Sequence, residues 1–266
     1  MTFASFSLDL AVLFVAVSAV PAVVAQTPAA APLPDAPSAT AHTAPAAVPT
    51  GPTVLFDTSM GRLTCQLFTD EAPQTSANFV GLATGTKTYT DPATHQQVTG
   101  KPFYDGTQFH RVIPGFMIQG GDPLATGTGD AGFYIPDEIS PNLRFDVPGR
   151  LAMANSGPNT NSSQFFITEA PNAALNGHYS IFGQCDPHSV LLVGSIARVD
   201  RDPNDKPYTP VVLKKVTVLQ PGQPVPPDPM QTTPAAPALT PGQPAPASPR
   251  PAVVLPPPGA VTPPQP

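Results

Sequence analysis

Charge and proline divide this chain into parts that can fold and parts that cannot. Outside residues 53–220 only Asp9, Asp35, Asp228 and Arg250 carry charge, and eighteen of the 40 prolines follow Leu219. Segments so poor in large apolar side chains cannot bury enough surface to offset the entropy lost on ordering. Residues 26–52, dominated by Ala, Pro and Thr, therefore read as a disordered linker, and residues 221–266 as a disordered Pro-rich tail. The 168 residues at 53–220 remain, long enough for one proper core. With a net charge of −6 and no basic patch, the chain is a poor partner for nucleic acid.

Residues 1–25 carry the apolar run Ala11–Val20, then Pro21, then Val23-Val24-Ala25 as a small-residue cleavage site. That pattern predicts a secretory signal peptide. The run is shorter than the roughly 20 apolar residues a spanning helix needs. The expectation is a cleaved, periplasmic or secreted protein with no stable membrane insertion; a retained anchor is the alternative, since the run is preceded by Asp9 and by no Lys or Arg. Cys65 and Cys185 read as two small buried hydrophobes in strands, with a single disulfide as the alternative.

Within 53–220, Val54–Thr58 and Met60–Leu67 alternate on either side of a turn and predict a hairpin. Phe79, Leu82 and Ala83 recur at helical spacing, predicting a helix over 71–84 capped by Thr69 or Asp70 and closed by Gly85. Residues 85–102 read as a polar surface loop. Gly127–Gly132 matches G-x-G-x-x-G, but Phe133-Tyr134-Ile135-Pro136 follows as extended chain where a dinucleotide site needs a helix. Arg150–Met153, Gln164–Thr168, Ile181–Gly183 and Val211–Leu219 read as strands, and Val190–Val199 as a second helix. Asp137-Glu138 reads as a solvated loop. The inventory is mainly β: about eight short strands and two helices, which suits a closed antiparallel barrel that leaves no free edge.

One stretch concentrates chemistry. In Phe109–Asp122, Pro114-Gly115 separates two alternating runs, which predicts strand, turn, strand with Arg111, Phe116, Met117 and Gln119 on one rim. An arginine beside apolar rings keeps its charge at any working pH and acts as a positioned donor. The chain offers no G-x-S-x-G, no H-E-x-x-H and no cysteine pair with zinc spacing, so neither a nucleophile nor a metal site is expected.

Phe109–Asp122, followed by Leu151–Thr168 with its Asn155-Ser156-Gly157-Pro158-Asn159-Thr160-Asn161 loop, resembles the paired signature segments of cyclophilin-type peptidyl-prolyl cis-trans isomerases. The likeness runs from about Thr53 to Gln220. It implies an eight-stranded barrel capped by two helices, a monomer without cofactor or metal, and proline-containing polypeptides as substrates. It also implies roles. Arg111 would donate toward the prolyl nitrogen, with Gln119 supporting it, Asn155 binding the peptide through its main chain and His110 at the rim as a packing histidine. Phe116, Met117, Phe166 and Leu175 would grip the ring; Gly127, Thr128, Ala154, Ser156, Gln164 and Tyr179 would complete the groove. Ala174 stands where familiar members carry tryptophan and Tyr179 where they carry histidine, which puts tight cyclosporin binding in doubt. A proline-peptide binding or chaperone module with incidental catalysis is the alternative reading.

Overall fold

A computed structural model of the chain describes residues 47–229. The signal peptide expected over 1–25, and the linker and tail apart from residues 47–52 and 221–229, lie outside the described residues.

The domain opens with a hairpin, β1 (Thr53–Thr58) and β2 (Arg62–Leu67), followed by α1 (Pro73–Thr84). A small two-stranded ribbon, β3 (Tyr89–Thr90) with β4 (Gln97–Val98), lies within the stretch expected to be loop alone. Tyr89 anchors it, buried edge-on against Phe103 at 4.8 Å. Next come β5 (Gln108–Phe109), β6 (Arg111–Ile113), β7 (Met117–Gly120), β8 (Arg150–Met153) and β9 (Phe165–Thr168). β10 (Ile181–Cys185), α2 (Pro187–Ala197) and β11 (Val211–Leu219) complete it.

Nine strands form one antiparallel sheet in the order β5-β11-β1-β2-β10-β8-β9-β7-β6. Its two end strands, β5 and β6, are consecutive pieces of a single run interrupted at His110. β5 pairs with β11 through Phe109 and Val211, while β6 pairs with β7. Gln108 also bridges to Asp122, and the His110 N–H donates to the Gln119 carbonyl at 3.0 Å. The sheet thus bends back onto its own edge as a nearly closed barrel. The expected eight strands become nine because the ladder breaks at His110.

Period-two alternation sorts side chains between two cores. Ile118, Leu151, Met153, Phe165 and Ile167 point inward to a cluster that includes Phe56, Phe79, Tyr104, Phe109 and Phe182. Met117, Ala152 and Phe166, on the same strands, point outward to a second cluster with Phe68, Leu143, Phe145 and Ile181. The barrel interior is filled with aromatic side chains, Phe79 stacking on Tyr104 at 4.7 Å. Among the described residues, that filling turns attention to the outer face, where Phe145 stacks on Phe166 at 5.8 Å.

Four expectations change. Helix α1 begins at Pro73 rather than residue 71, and its cap residue Ala72 has no side-chain acceptor. Glu138 supplies one instead, accepting from the N–H groups of Gln74 (3.0 Å) and Thr75 (2.7 Å), so Asp137-Glu138 is engaged rather than solvated. Thr69 and Asp70 do not cap. At the other end Gly85 stops the helix at φ 76°, where a Cβ would lie 2.6 Å from the Lys101 carbonyl carbon. The second helix starts at Pro187, its first turn capped by Asp186, which accepts from the Ser189 N–H at 2.7 Å. Finally, Cys65 and Cys185 are not free: they face each other in the β2–β10 register and form a disulfide.

Candidate active site

The β6–β7 hairpin sets the first elements of the site. Arg111 faces Gln119, and Gln119 in turn faces Phe166 of β9, which faces Ala152 of β8. Directly opposed residues of antiparallel strands stand about 5 Å apart on one face, so a cation, an amide and an aromatic ring form a row across the outer barrel wall. The Pro114-Gly115 turn is pinned from outside. Glu169 accepts from the Gly115 N–H at 2.6 Å, and its own N–H donates to the Phe116 carbonyl at 2.8 Å. This holds Phe116, half buried, beside Met117.

Two loops and a short turn enclose the row in a cleft of about 870 Å³. Leu175 comes from the 3-10 turn Ala173–Leu175, which Asn172 caps by accepting from the Ala174 N–H at 3.1 Å. Tyr179 sets its ring edge against Phe166 at 5.3 Å. The segment from Ala154 to Gln164 is tied at its ends, Ala154 N–H donating to the Gln164 carbonyl at 2.9 Å. Within it Asn155 engages its side chain in the loop, Nδ2 donating to the His178 carbonyl at 2.9 Å and Oδ1 accepting from the Gly157 N–H at 3.3 Å. Ser156 lies beside it on the same wall.

The opposite wall is organised by Asp122, which is fully buried. Its carboxylate accepts from the N–H groups of Leu124 (2.7 Å), Thr126 (2.9 Å) and Gly127 (2.7 Å). Burial alone would raise its pKa, but these donors override it and hold the carboxyl below its ordinary value. Gln164 then links the walls. Its amide donates to the carbonyls of Gly127 (3.0 Å) and Gly129 (2.9 Å) and accepts from Gln119 Nε2 at 2.9 Å. Gln119 thus faces Arg111 across the hairpin while its amide donates to Gln164. Thr128 sits on this wall with Gly127.

Arg111 is half exposed, its Nε 3.9 Å from an Asp205 carboxylate oxygen. The loop that carries Asp205 closes the cleft: Asp202, Asn204 and Lys206 line it, and Lys206 Nζ donates to the Ala125 carbonyl at 2.8 Å. Sequence reasoning missed this wall, and Asp122 with it. Asp202-Pro203-Asn204 is visible as a turn, but nothing in it points to a site ninety residues away. His110 lies beneath Gly127 with both ring nitrogens unpartnered among the described residues. Burial lowers its pKa, opposed by Asp122 and reinforced by Lys206 and Arg111, so the neutral ring is favoured. Among the described residues no hydroxyl is paired with it as a nucleophile would be with a base. What the cleft offers is a half-exposed cation sharing its walls with Phe116, Met117, Phe166 and Leu175, with amides along its rim.

The sequence profile described as "Cyclophilin type peptidyl-prolyl cis-trans isomerase/CLD" matches residues 53–218. The chain belongs to the cyclophilin-type peptidyl-prolyl cis-trans isomerase family. Among these isomerases it is 49% identical over 167 residues to "Peptidyl-prolyl cis-trans isomerase A" of Mycobacterium tuberculosis, covering 62% of this chain and 91% of that one. It is 47% identical over 163 residues to "Peptidyl-prolyl cis-trans isomerase B" of Streptomyces anulatus, covering 60% of this chain and 93% of the relative. A crystal structure of a Cryptosporidium parvum cyclophilin type isomerase matches with TM-score 0.55 and 35% identity, covering 65% of this chain and 99% of that one. The same isomerase crystallised "in the presence of dipeptide ala-pro" matches with TM-score 0.53 and 35% identity, over 62% of this chain and 98% of its own. As a cyclophilin-type enzyme, the chain interconverts cis and trans peptidyl-prolyl bonds.

Proposed function

We propose that Arg111 drives this isomerisation without a covalent step, on X-Pro bonds of exported proteins whose folding is limited by slow proline rotation. Rotation faces a barrier of roughly 18–20 kcal/mol because the nitrogen lone pair is delocalised into the carbonyl. At the half-turned state that delocalisation is lost and the nitrogen becomes an acceptor. A guanidinium held over it then binds the twisted amide better than either planar one, which is what acceleration requires. Phe116, Met117, Phe166 and Leu175 fix the pyrrolidine ring, while the Asn155 main chain and the Gln119–Gln164 pair hold the flanking backbone.

The observation that carries this reading is the register row Arg111–Gln119–Phe166, which sets a permanent charge and a ring-sized apolar surface on one face of the sheet. Lining of the same cleft by Phe116 and Leu175, and the dipeptide used with the Cryptosporidium parvum relative, favour proline-containing polypeptides as the substrate class. Export is supported by the Cys65–Cys185 disulfide, since such bonds persist in oxidising compartments. The test is a proline-isomerisation assay on an Ala-Pro peptide, run beside a binding measurement on the same peptide, with N-terminal sequencing of the exported protein. Turnover with a cleaved N-terminus is expected. Binding without turnover would leave a proline-peptide module, and an intact N-terminus would remove the cleaved-signal reading.

A further inference from the structure

A second cleft, of about 570 Å³, adjoins the first. The two share Asn155, Ser156, Leu175 and Tyr179 as a common wall, so a peptide seated with its proline on Phe166 passes residues close to it. That wall is built rather than loose. Besides the bond from Asn155 to the His178 carbonyl, the Thr160 hydroxyl accepts from the Ser156 N–H at 2.8 Å and donates to the Gly157 carbonyl at 2.7 Å. Room beside the wall comes from the 3-10 turn, where exposed Ala174 contributes only a methyl group.

Asp137 gives the second cleft its sign. Its carboxylate accepts from Asn161 Nδ2 at 2.7 Å and from the Asn159 N–H at 2.9 Å, both neutral donors. None of the ion pairs among the described residues includes it. The result is a negative charge, held in place and not neutralised, on the wall of an open cavity that shares Asn155, Ser156, Leu175 and Tyr179 with the first cleft.

We propose that this second cleft is a substrate subsite for a lysine or arginine side chain lying within two residues of the proline. The proposal deepens the function above and rests on the first cleft being where the proline binds. The methylene stem of such a residue would lie along Leu175 and Tyr179 while its cationic head reaches Asp137. A half-exposed ion pair of this kind contributes modestly, a preference of about two- to fivefold, and it weakens with salt.

The test uses the full chain and the peptide Ala-Ala-Ala-Pro-Ala-Ala, with lysine, glutamate or alanine at each of the two positions before and after the proline. The expected result is a kcat/KM gain of about two- to fivefold for lysine over alanine at one or more positions, with glutamate below alanine and the gain shrinking at 1 M salt. Asp137→Asn removes the charge but keeps an acceptor for Asn161. Ala174→Trp fills the cavity and leaves the carboxylate untouched. Both variants should lose the lysine preference while turning over the all-alanine peptide as the parent does. Lysine no better than alanine at every position, or a preference that survives both variants, overturns the proposal. A parent chain inert toward every peptide would instead remove the proline-site reading, and the subsite with it.

Discussion

Replacing Asp122 should loosen one wall of the cleft without touching the apolar notch. Its carboxylate holds three backbone N–H groups, of Leu124, Thr126 and Gly127, all within 2.9 Å. Asp122→Ala leaves them without their acceptor in a segment that water reaches only in part. At about 1.5 kcal/mol for each lost charge-assisted bond, the low end for a charged acceptor, the loss is about 4–5 kcal/mol. Asp122→Asn keeps one oxygen and turns an amide group toward the remaining donors, so about 2 kcal/mol is expected. Urea unfolding followed by fluorescence reads this as a midpoint lowered by about 2 M for the alanine variant at a slope near 2 kcal/mol/M.

Acid gives an independent check on Asp122. A carboxyl held below its ordinary value of 3.8 stabilises the fold fully above that pH. The contribution fades as pH falls through the lower folded value, because protonation then becomes possible in the native state too. The parent should therefore lose stability in that acid window, and Asp122→Ala should lack that part of the loss. An alanine variant with an unchanged urea midpoint and an unchanged acid profile would refute the view that this carboxylate organises the wall.

Three further outcomes follow from the same structure. Reducing the Cys65–Cys185 disulfide, which spans 120 residues, should cost about 4–5 kcal/mol by the chain-entropy argument, and an equal urea midpoint with and without reductant would contradict it. Glu138→Ala should destabilise by about 1–2 kcal/mol through the uncapped first turn of α1, seen as a lower thermal midpoint with isomerase kinetics retained. Phe116→Ala, at a half-buried rim position, should raise KM severalfold with little change in kcat; unchanged kinetics would mean that the proline ring sits elsewhere.

How far the sequence could be read depended on whether a residue's partners were near it in the chain. β8 falls where its short strand-like run places it, and β11 where alternation and β-branched residues do. Arg111, Phe116, Met117 and Gln119 could be grouped because a single hairpin carries them. The two cores were not separable. β8 and β9 are buried on both faces, so inner Phe165 and Ile167 look the same in sequence as outer Phe166. The α1 cap came from Glu138, 63 residues from Thr75, and the disulfide from a register 120 residues long. Neither distance leaves a local signal. Asp122 and the Asp202–Lys206 wall stayed hidden for the same reason: the groups they meet, the N–H of Gly127 and the carbonyl of Ala125 among them, are set by the folded loops and not by a sequence pattern.

The central claim is that Arg111 binds the half-turned amide more tightly than either planar form. Exchange NMR on a peptide held saturated on the enzyme measures that difference directly, because binding no longer enters the observed cis–trans rate. Arg111→Ala should slow on-enzyme exchange by about 10²–10³-fold, the usual loss for one preorganised charge-stabilising donor, while peptide affinity shifts only a little. An Arg111→Ala enzyme that exchanges the bound peptide at the parent's rate would contradict the account.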